Sequence, residues 1–268
     1  VSTVRTVWKI FLGYTVLSIL ALFVAIVSSE YGARLPLWEA AWQALNHAMT
    51  GLSTGGFSVT DNSIATYDSP LIEFVLLPVM SLGAIAFPVH YAVLKDRDLG
   101  ILGSDLQTRW LGLLLLAGVV ALSVQNVVSI PVASEAFDGT SAWLRPGSIL
   151  GPLAADAVRD STFQWISALT CTGFQSAPIG RWADGGKVFL SGAMVLGGAA
   201  GSTVGGIKII RGYVIVRGIR WQFRRVFLPP SAVVATRLNG RRLNREEMER
   251  EFSEAAIVTL LWLLVLAA

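Results

Sequence analysis

The sequence has few of the residues on which metal centres and most catalytic sites depend. Its 268 residues include one cysteine, Cys171, and two histidines, His47 and His90. A single cysteine excludes an intrachain disulfide and a cysteine metal cluster, and two histidines argue against a histidine-rich metal centre. A Ser/His/Asp set, an HExxH motif and a pair of intramembrane carboxylates are also lacking, so we expect that the protein is not an enzyme.

Charged residues are scarce as well. They make up 15% of the chain, whereas hydrophobic residues make up 53%. Soluble domains carry about a quarter charged residues, so the composition predicts an all-α polytopic membrane protein. The chain lacks an initiator methionine and a signal-peptide cleavage pattern, and it ends within an apolar run that starts near Phe252. We therefore expect a fragment of a longer protein.

Several apolar runs are long enough to cross a bilayer, which takes about 20 helical residues for about 30 Å of hydrocarbon. The second run contains Pro78, Gly83 and Pro88, which we expect to kink it. The fourth is interrupted by a glycine-rich segment, so a broken helix is expected there. The predicted spans are Val7–Val27, Leu71–Leu94, Trp110–Val128, Val188–Val216 and a last one from Ser253.

Two shorter amphipathic helices, Leu37–Met49 and Asp160–Leu169, are too short to span. Asp160 is the expected N-cap of the second. Each is followed by a polar loop, TGLSTGGF at Thr50–Phe57 (the first loop) and LTCTGF at Leu169–Phe174 (the second loop). For one loop alone, a plain external turn between two helices is as good an interpretation as a loop that lines a water-filled path. The recurrence 117 residues later predicts a repeated unit of span, half-helix, loop and span.

The composition of these loops suits a dehydrated monovalent cation. Such an ion needs several oxygen ligands, and rings of backbone carbonyls supply them. Glycine lets consecutive carbonyls point to one axis, and the negative end of a preceding half-helix dipole favours a cation. Neither loop contains an acidic residue, which argues against Ca²⁺ or Mg²⁺.

The basic residues predict the orientation in the membrane. With a cytoplasmic N-terminus, most lysines and arginines fall in inner segments and both loops are external. The cluster Arg211–Arg250 is then a cytoplasmic linker or docking surface rather than a nucleic-acid site. The inner basic residues are Arg5, Lys9, Lys95, Arg97, Arg109 and this cluster.

The two loop motifs, together with GGAAGSTVGGIK at Gly197–Lys208, resemble the Trk/Ktr/HKT superfamily of potassium transporters, and most of all the TrkH-type membrane subunit. The resemblance covers the whole chain and implies a K⁺-channel-like pore built from four repeats. It assigns residues 1–104 to the second repeat and 105–220 to the third. It makes 221–252 a basic cytoplasmic linker and 253–268 the start of the next repeat, so that the first repeat and the fourth loop are missing.

The resemblance also assigns a K⁺ selectivity filter. In the family, the last glycine of each filter loop is the signature position, and Gly56 and Gly173 occupy it in the two loops. Cys171 replaces a common threonine, which leaves its backbone carbonyl intact, and a small buried filler is favoured over a redox role. The filter residues carried over are Ser53, Thr54, Gly55, Gly56, Thr170, Cys171, Thr172 and Gly173.

The glycine-rich segment Gly197–Gly206 resembles the family's intramembrane gating loop. Five glycines in ten residues, each about 1 kcal/mol less favourable than alanine in a helix, argue against a continuous helix. The alternative is a GxxxG helix-packing face. Lys208 suits either an electrostatic barrier in the pore or the cytoplasmic interface. The implied gate residues are Gly197, Gly198, Gly201, Ser202, Thr203, Gly205, Gly206 and Lys208.

The resemblance implies potassium uptake across the plasma (inner) membrane through a gated, carbonyl-lined filter. The alternatives are a Na⁺/K⁺ transporter of the same superfamily and a secondary transporter of another solute. It further implies K⁺ as the transported ion, no organic cofactor, a lipid environment, a homodimer, a TrkA-type cytoplasmic nucleotide-binding regulatory subunit and no nucleic acid. His47 is expected to be a packing residue, and His90 an interfacial one.

Overall fold

The computed structural model describes residues 2–135, 152–227, 236–238 and 241–267. In these ranges the chain forms ten α-helices and one two-stranded hairpin, so the prediction of an essentially all-helical fold is confirmed. The chain divides into two compact units, Val1–Gly206 and Ile207–Ala268.

The first unit begins with a helix hairpin that packs through small residues. Ala40, Ala44 and Ala48 recur every four residues along α2 (Leu37–Leu52) and are fully buried. Such a stripe lets two helix backbones approach closely, and Leu22 and Ile26 of α1 (Ser2–Val27) share its core cluster. The helices here are α1 (Ser2–Val27), α2 (Leu37–Leu52), α3 (Pro70–Ala84), α4 (Phe87–Asp96) and α5 (Gly100–Ser104).

The second predicted span is sharply bent. The α3 and α4 helices meet at 104°, with the break at Ile85 and Ala86. Pro88 lies in the first turn of α4, where its missing N–H removes no helical hydrogen bond. Pro78 lies inside α3 and does not interrupt it. The expected kink is therefore confirmed, but Pro78 does not contribute a break.

The rest of the first unit contains α6 (Leu106–Glu135), α7 (Pro152–Leu169) and α8 (Asp184–Val195). The prediction that Asp160 caps a helix is wrong, because α7 starts at Pro152. The preceding sequence LAADAVR consists mostly of good helix formers, and it extends the helix in the N-terminal direction. Trp165 of α7 donates its indole N–H to the Leu114 carbonyl of α6 over 3.0 Å. Residues 136–151, in the Gly-, Pro- and Ser-rich stretch between α6 and α7, lie outside the described ranges.

Among the described residues, two helices are long and apolar enough to cross a membrane, Val4–Val27 and Leu106–Ser129, and the bent α3–α4 pair makes a third if it counts as one span. Large apolar side chains on α1, such as Leu12 and Leu17, are well exposed, as expected for a helix that faces lipid. The predicted run Val188–Val216 is broken as expected, because the chain is not helical between α8 and the next helix.

The second unit contains α9 (Ile209–Val226), β1 (Thr236–Leu238), β2 (Arg241–Leu243) and α10 (Arg245–Ala267). Trp221, Leu243 and Met248 form its small core. Asn244 caps α10 reciprocally: its side chain accepts from the Glu247 N–H over 2.8 Å, and Glu247 accepts from the Asn244 N–H over 2.9 Å. Both ends of the predicted basic linker are thus helical, while residues 228–235 and 239–240 lie outside the described ranges.

Candidate functional site

The backbone follows the same unusual path in both loops. In the first loop, Thr54 and Gly56 have φ values of 55° and 62°. In the second, the matching residues Cys171 and Gly173 have φ values of 51° and 84°. Residues other than glycine seldom adopt this left-handed region. Left-handed residues that alternate with others can turn successive carbonyls towards one side, as a carbonyl-lined ion path requires.

A matching hydroxyl residue braces each loop. Thr50 donates its hydroxyl to the Phe57 carbonyl over 2.8 Å. Ser167, 117 residues later, donates to the Phe174 carbonyl over the same distance. Their own carbonyls accept from Gly55 N–H (2.8 Å) and Thr172 N–H (2.9 Å). Neither brace was among the predicted site residues, although a hydroxyl stands six residues before the signature glycine in both copies.

The two loops meet backbone to backbone. A Cβ on Gly56 would overlap the carbonyl oxygen of Thr172 and lie 3.3 Å from the carbonyl carbon of Gly173. Just beyond the loops, Gln175 donates its N–H to the Ser63 hydroxyl over 3.1 Å, and its carbonyl accepts from Ala65 N–H over 2.9 Å. Gly56 therefore has to be glycine for two reasons, its φ and this contact.

The two threonine side chains of the second loop turn into the protein, whereas Cys171 is half-buried. Thr170 and Thr172 are buried, and their hydroxyls lie 2.8 Å apart. The Cys171 sulfur lies 3.6 Å from the Leu196 carbonyl oxygen. The α2 and α7 helices end at Leu52 and Leu169, so the negative end of each helix dipole adjoins its loop. Any cation bound here would be held by main-chain oxygens.

The glycine-rich segment packs against the start of the first loop, where α2 ends. The Thr203 hydroxyl lies 2.9 Å from the Gly83 carbonyl oxygen, 3.2 Å from that of Leu52 and 3.3 Å from the Thr54 hydroxyl. The segment is not helical, which excludes the GxxxG helix-packing alternative. Lys208 lies at the N-cap of α9 in the second unit.

The segment also folds back on itself. Gly201 and Gly206 have φ values of 81° and 68°. A Cβ on Gly197 would overlap the carbonyl oxygen of Gly205, and one on Gly198 would lie 2.8 Å from the carbonyl oxygen of Ala84. Its glycines therefore allow a compact turn rather than a helix.

Comparison with known proteins identifies the family. The TrkH family, described as cation transport proteins, matches residues 1–268. The chain belongs to the TrkH family.

The chain is similar to several members of this family. A Trk system potassium uptake protein TrkH of Halomonas elongata is 28% identical over 238 residues, which are 88% of this chain and 42% of that protein. The TrkH of Escherichia coli is 26% identical over 274 residues, 100% of this chain and 49% of that protein. An uncharacterized cation transporter of Methanocaldococcus jannaschii is 27% identical over 265 residues, 98% of this chain and 45% of that protein.

The fold is also similar to a solved structure. The crystal structure of the potassium transporter TrkH from Vibrio parahaemolyticus superposes with a TM-score of 0.78 at 21% identity, covering 98% of this chain and 50% of that one. At this identity the likeness supports the fold. The chain spans about half the length of the relatives that it matches.

Both histidines of this TrkH-family chain are buried. His47 is 1% exposed, and its two ring nitrogens lie 2.8 Å from the Gln43 carbonyl oxygen and 3.0 Å from the Ser58 hydroxyl. This confirms the expectation of a packing residue. His90 is 4% exposed, and its ring lies 3.0 Å from the Leu82 carbonyl oxygen, at the end of α3. The expectation of an interfacial His90 is wrong, because the bend turns α4 back so that His90 lies against the end of α3.

An ion-pair cluster that the sequence did not predict joins α3 to α7. Arg159 donates from Nε and Nη2 to the two carboxylate oxygens of Glu73, over 3.0 and 2.8 Å. Asp68 lies 3.5 Å from the same guanidinium. Burial, followed by the nearby charge of Glu73, raises the pKa of Asp160 to about 6. The cluster therefore ties α7 to the start of α3.

Proposed function

We propose that this chain forms two pore repeats of a potassium uptake protein and that K⁺ passes the backbone carbonyls of the two loops. The observation that carries the proposal is the matched pair of loops: both alternate left-handed residues in the same register, and they meet at Gly56 and Thr172. Relatives named as Trk system potassium uptake proteins support the choice of ion.

Main-chain ligation favours a weakly hydrated monovalent cation. The loops contain no carboxylate, and Thr170 and Thr172 turn their hydroxyls into the protein. Carbonyl dipoles replace the hydration shell of K⁺ without holding the ion too tightly to leave. The filter we propose comprises residues 53–56 and 170–173, in which glycine stands at both signature positions. A transporter that also passes Na⁺ is the alternative within the superfamily.

We further propose that the glycine-rich segment is the gate, because it packs at the start of the first loop. Residues 1–104 and 105–220 would be the two repeats, 221–252 a cytoplasmic linker and 253–268 the start of the next repeat. The loops would be external and the membrane the plasma membrane. The Trk system names of the relatives support further subunits, and we propose a homodimer with a nucleotide-binding cytoplasmic partner.

Uptake by cells that lack their own potassium transport tests the proposal. The full-length protein should restore uptake of radioactive Rb⁺, and an excess of K⁺, but not of Na⁺, should compete. The double variant Gly56→Ser/Gly173→Ser should lose this uptake or this preference. Gly112→Ala is the control, because its Cβ would contact no described heavy atom within 4 Å. If the double variant takes up Rb⁺ at the wild-type rate and with the wild-type preference, the proposal is wrong. Equal competition by Na⁺ and K⁺ would favour the transporter that also passes Na⁺.

A further inference from the structure

The bend between α3 and α4 exposes backbone groups that need partners. A helix end leaves its last carbonyls and first N–H groups without intrahelical bonds, and inside a membrane these groups must be satisfied by protein or water. The Leu82 carbonyl accepts from Ile85 N–H over 3.2 Å and lies against His90. The carbonyls of Gly83 and Ala84 have no such local donor in the bend.

The glycine-rich segment supplies the partners that the bend lacks. Ala199 N–H donates to the Ala84 carbonyl over 3.0 Å, and Thr203 N–H donates to the Gly83 carbonyl over 3.1 Å. In return, Phe87 at the start of α4 donates its N–H to the Gly201 carbonyl over 3.0 Å. The backbone groups left unpaired at the α3–α4 bend and those of the glycine-rich segment thus hydrogen-bond to each other.

One side chain connects this junction to the first loop. The Thr203 hydroxyl is within hydrogen-bonding distance of the carbonyls of Gly83 and Leu52, and it accepts from the Thr54 hydroxyl. The junction has no spare room: a Cβ on Gly83 would overlap the Leu52 carbonyl oxygen and lie 3.1 Å from the Thr203 hydroxyl oxygen. A displacement of the segment would therefore also shift Leu52 and Thr54, at the start of the first loop.

We propose that the α3–α4 bend is the seat that holds the glycine-rich segment in its closed position, and that Thr203 is the positioning residue that couples this segment to the filter. The inference rests on the proposed gating function and adds to it the seat and the coupling group. Release of the segment leaves the carbonyls of Gly83 and Ala84 to be hydrated, so opening and the entry of water into the bend occur together.

The test compares variants that remove or keep a side-chain hydroxyl. Thr203→Val removes the shared hydroxyl at nearly constant volume, while Thr203→Ser keeps it. Ser191→Ala is the control, because the Ser191 hydroxyl lies outside the glycine-rich segment and donates within α8, to the Lys187 carbonyl over 3.0 Å. With one hydrogen bond removed from the closed state, Rb⁺ uptake per protein in the membrane should rise about two- to ten-fold in Thr203→Val. It should stay at the wild-type level in the other two variants.

A second tether gives an independent check. The Gln107 side-chain oxygen accepts from Ala200 N–H over 2.7 Å. Gln107→Met should therefore also raise uptake, and its fold-change should multiply that of Thr203→Val in the double variant, because the two variants remove separate hydrogen bonds that share no partner. Unchanged or slower uptake in Thr203→Val, or a double variant no faster than wild type, overturns the inference.

Deletion of residues 199–205 separates this inference from the proposed gate. Faster uptake on deletion, combined with a Thr203→Val variant whose uptake equals that of the Ser191→Ala control, contradicts the coupling role of Thr203 alone. Unchanged uptake on deletion contradicts the gate itself, and loss of uptake in every variant including wild type contradicts the proposed function.

Discussion

Replacement of Gly56 by alanine tests whether the two loops must touch. A side chain at a φ of 62° costs about 1–2 kcal/mol. The added Cβ would also lie 2.8 Å from the carbonyl carbon of Thr172, where carbon atoms normally keep about 3.5–4 Å. The backbone of one loop must therefore move by about 1 Å. In the proposed filter, a carbonyl moved so far would no longer replace a water of the K⁺ hydration shell.

Gly55, the next residue in the same loop, is the control. Its φ is not positive, and its Cβ would come no closer than 3.5 Å to the described heavy atoms. We expect Gly56→Ala to lower the initial rate of Rb⁺ uptake at least about ten-fold, in line with a cost above 1.4 kcal/mol, and Gly55→Ala to stay within about two-fold of wild type. Both variants must be compared at equal abundance in the membrane. Equal loss in the two, or normal uptake by Gly56→Ala, would refute the reasoning.

Three further predictions concern stability in detergent. Gly118→Ala places a methyl group on the ring of Trp165 and should cost about 1–3 kcal/mol, seen as a lower Tm. Arg159→Gln leaves Glu73, whose side chain is 6% exposed, without its partner; a loss of about 3 kcal/mol is expected, largely restored by adding Glu73→Gln. The folded pKa of Asp160, about 6, exceeds its unfolded value of about 4, so the folded protein binds a proton more tightly than the unfolded chain. The Tm should therefore rise as the pH falls from 7 to 5. Asp160→Asn should weaken that rise.

The helices were predictable where their causes are local. The half-helix α2 begins at Leu37 as expected, directly after Pro36, because proline favours a helix start. Its end is three residues later than predicted, at Leu52. The α7 helix was predicted eight residues too short, because Asp160 resembles an N-cap, although the residues before it are mostly good helix formers.

The loops were predictable from their recurrence, but the contacts that hold them were not. The braces from Thr50 and Ser167 depend on the folded path of each loop, not on composition. The bonds from Thr203 to Gly83 and from Arg159 to Glu73 join residues 120 and 86 positions apart. Helical periodicity carries no information at such separations, so these contacts required the fold.

The central claim is that the backbone carbonyls of both loops line one cation path. The most direct test is anomalous scattering from crystals of the full-length protein grown with Rb⁺. The account predicts Rb⁺ density flanked by the carbonyl oxygens of residues 53–56 and 170–173, and loss of that density in Gly56→Ala. Rb⁺ bound only by carboxylates away from these loops, under conditions that saturate uptake, would contradict it.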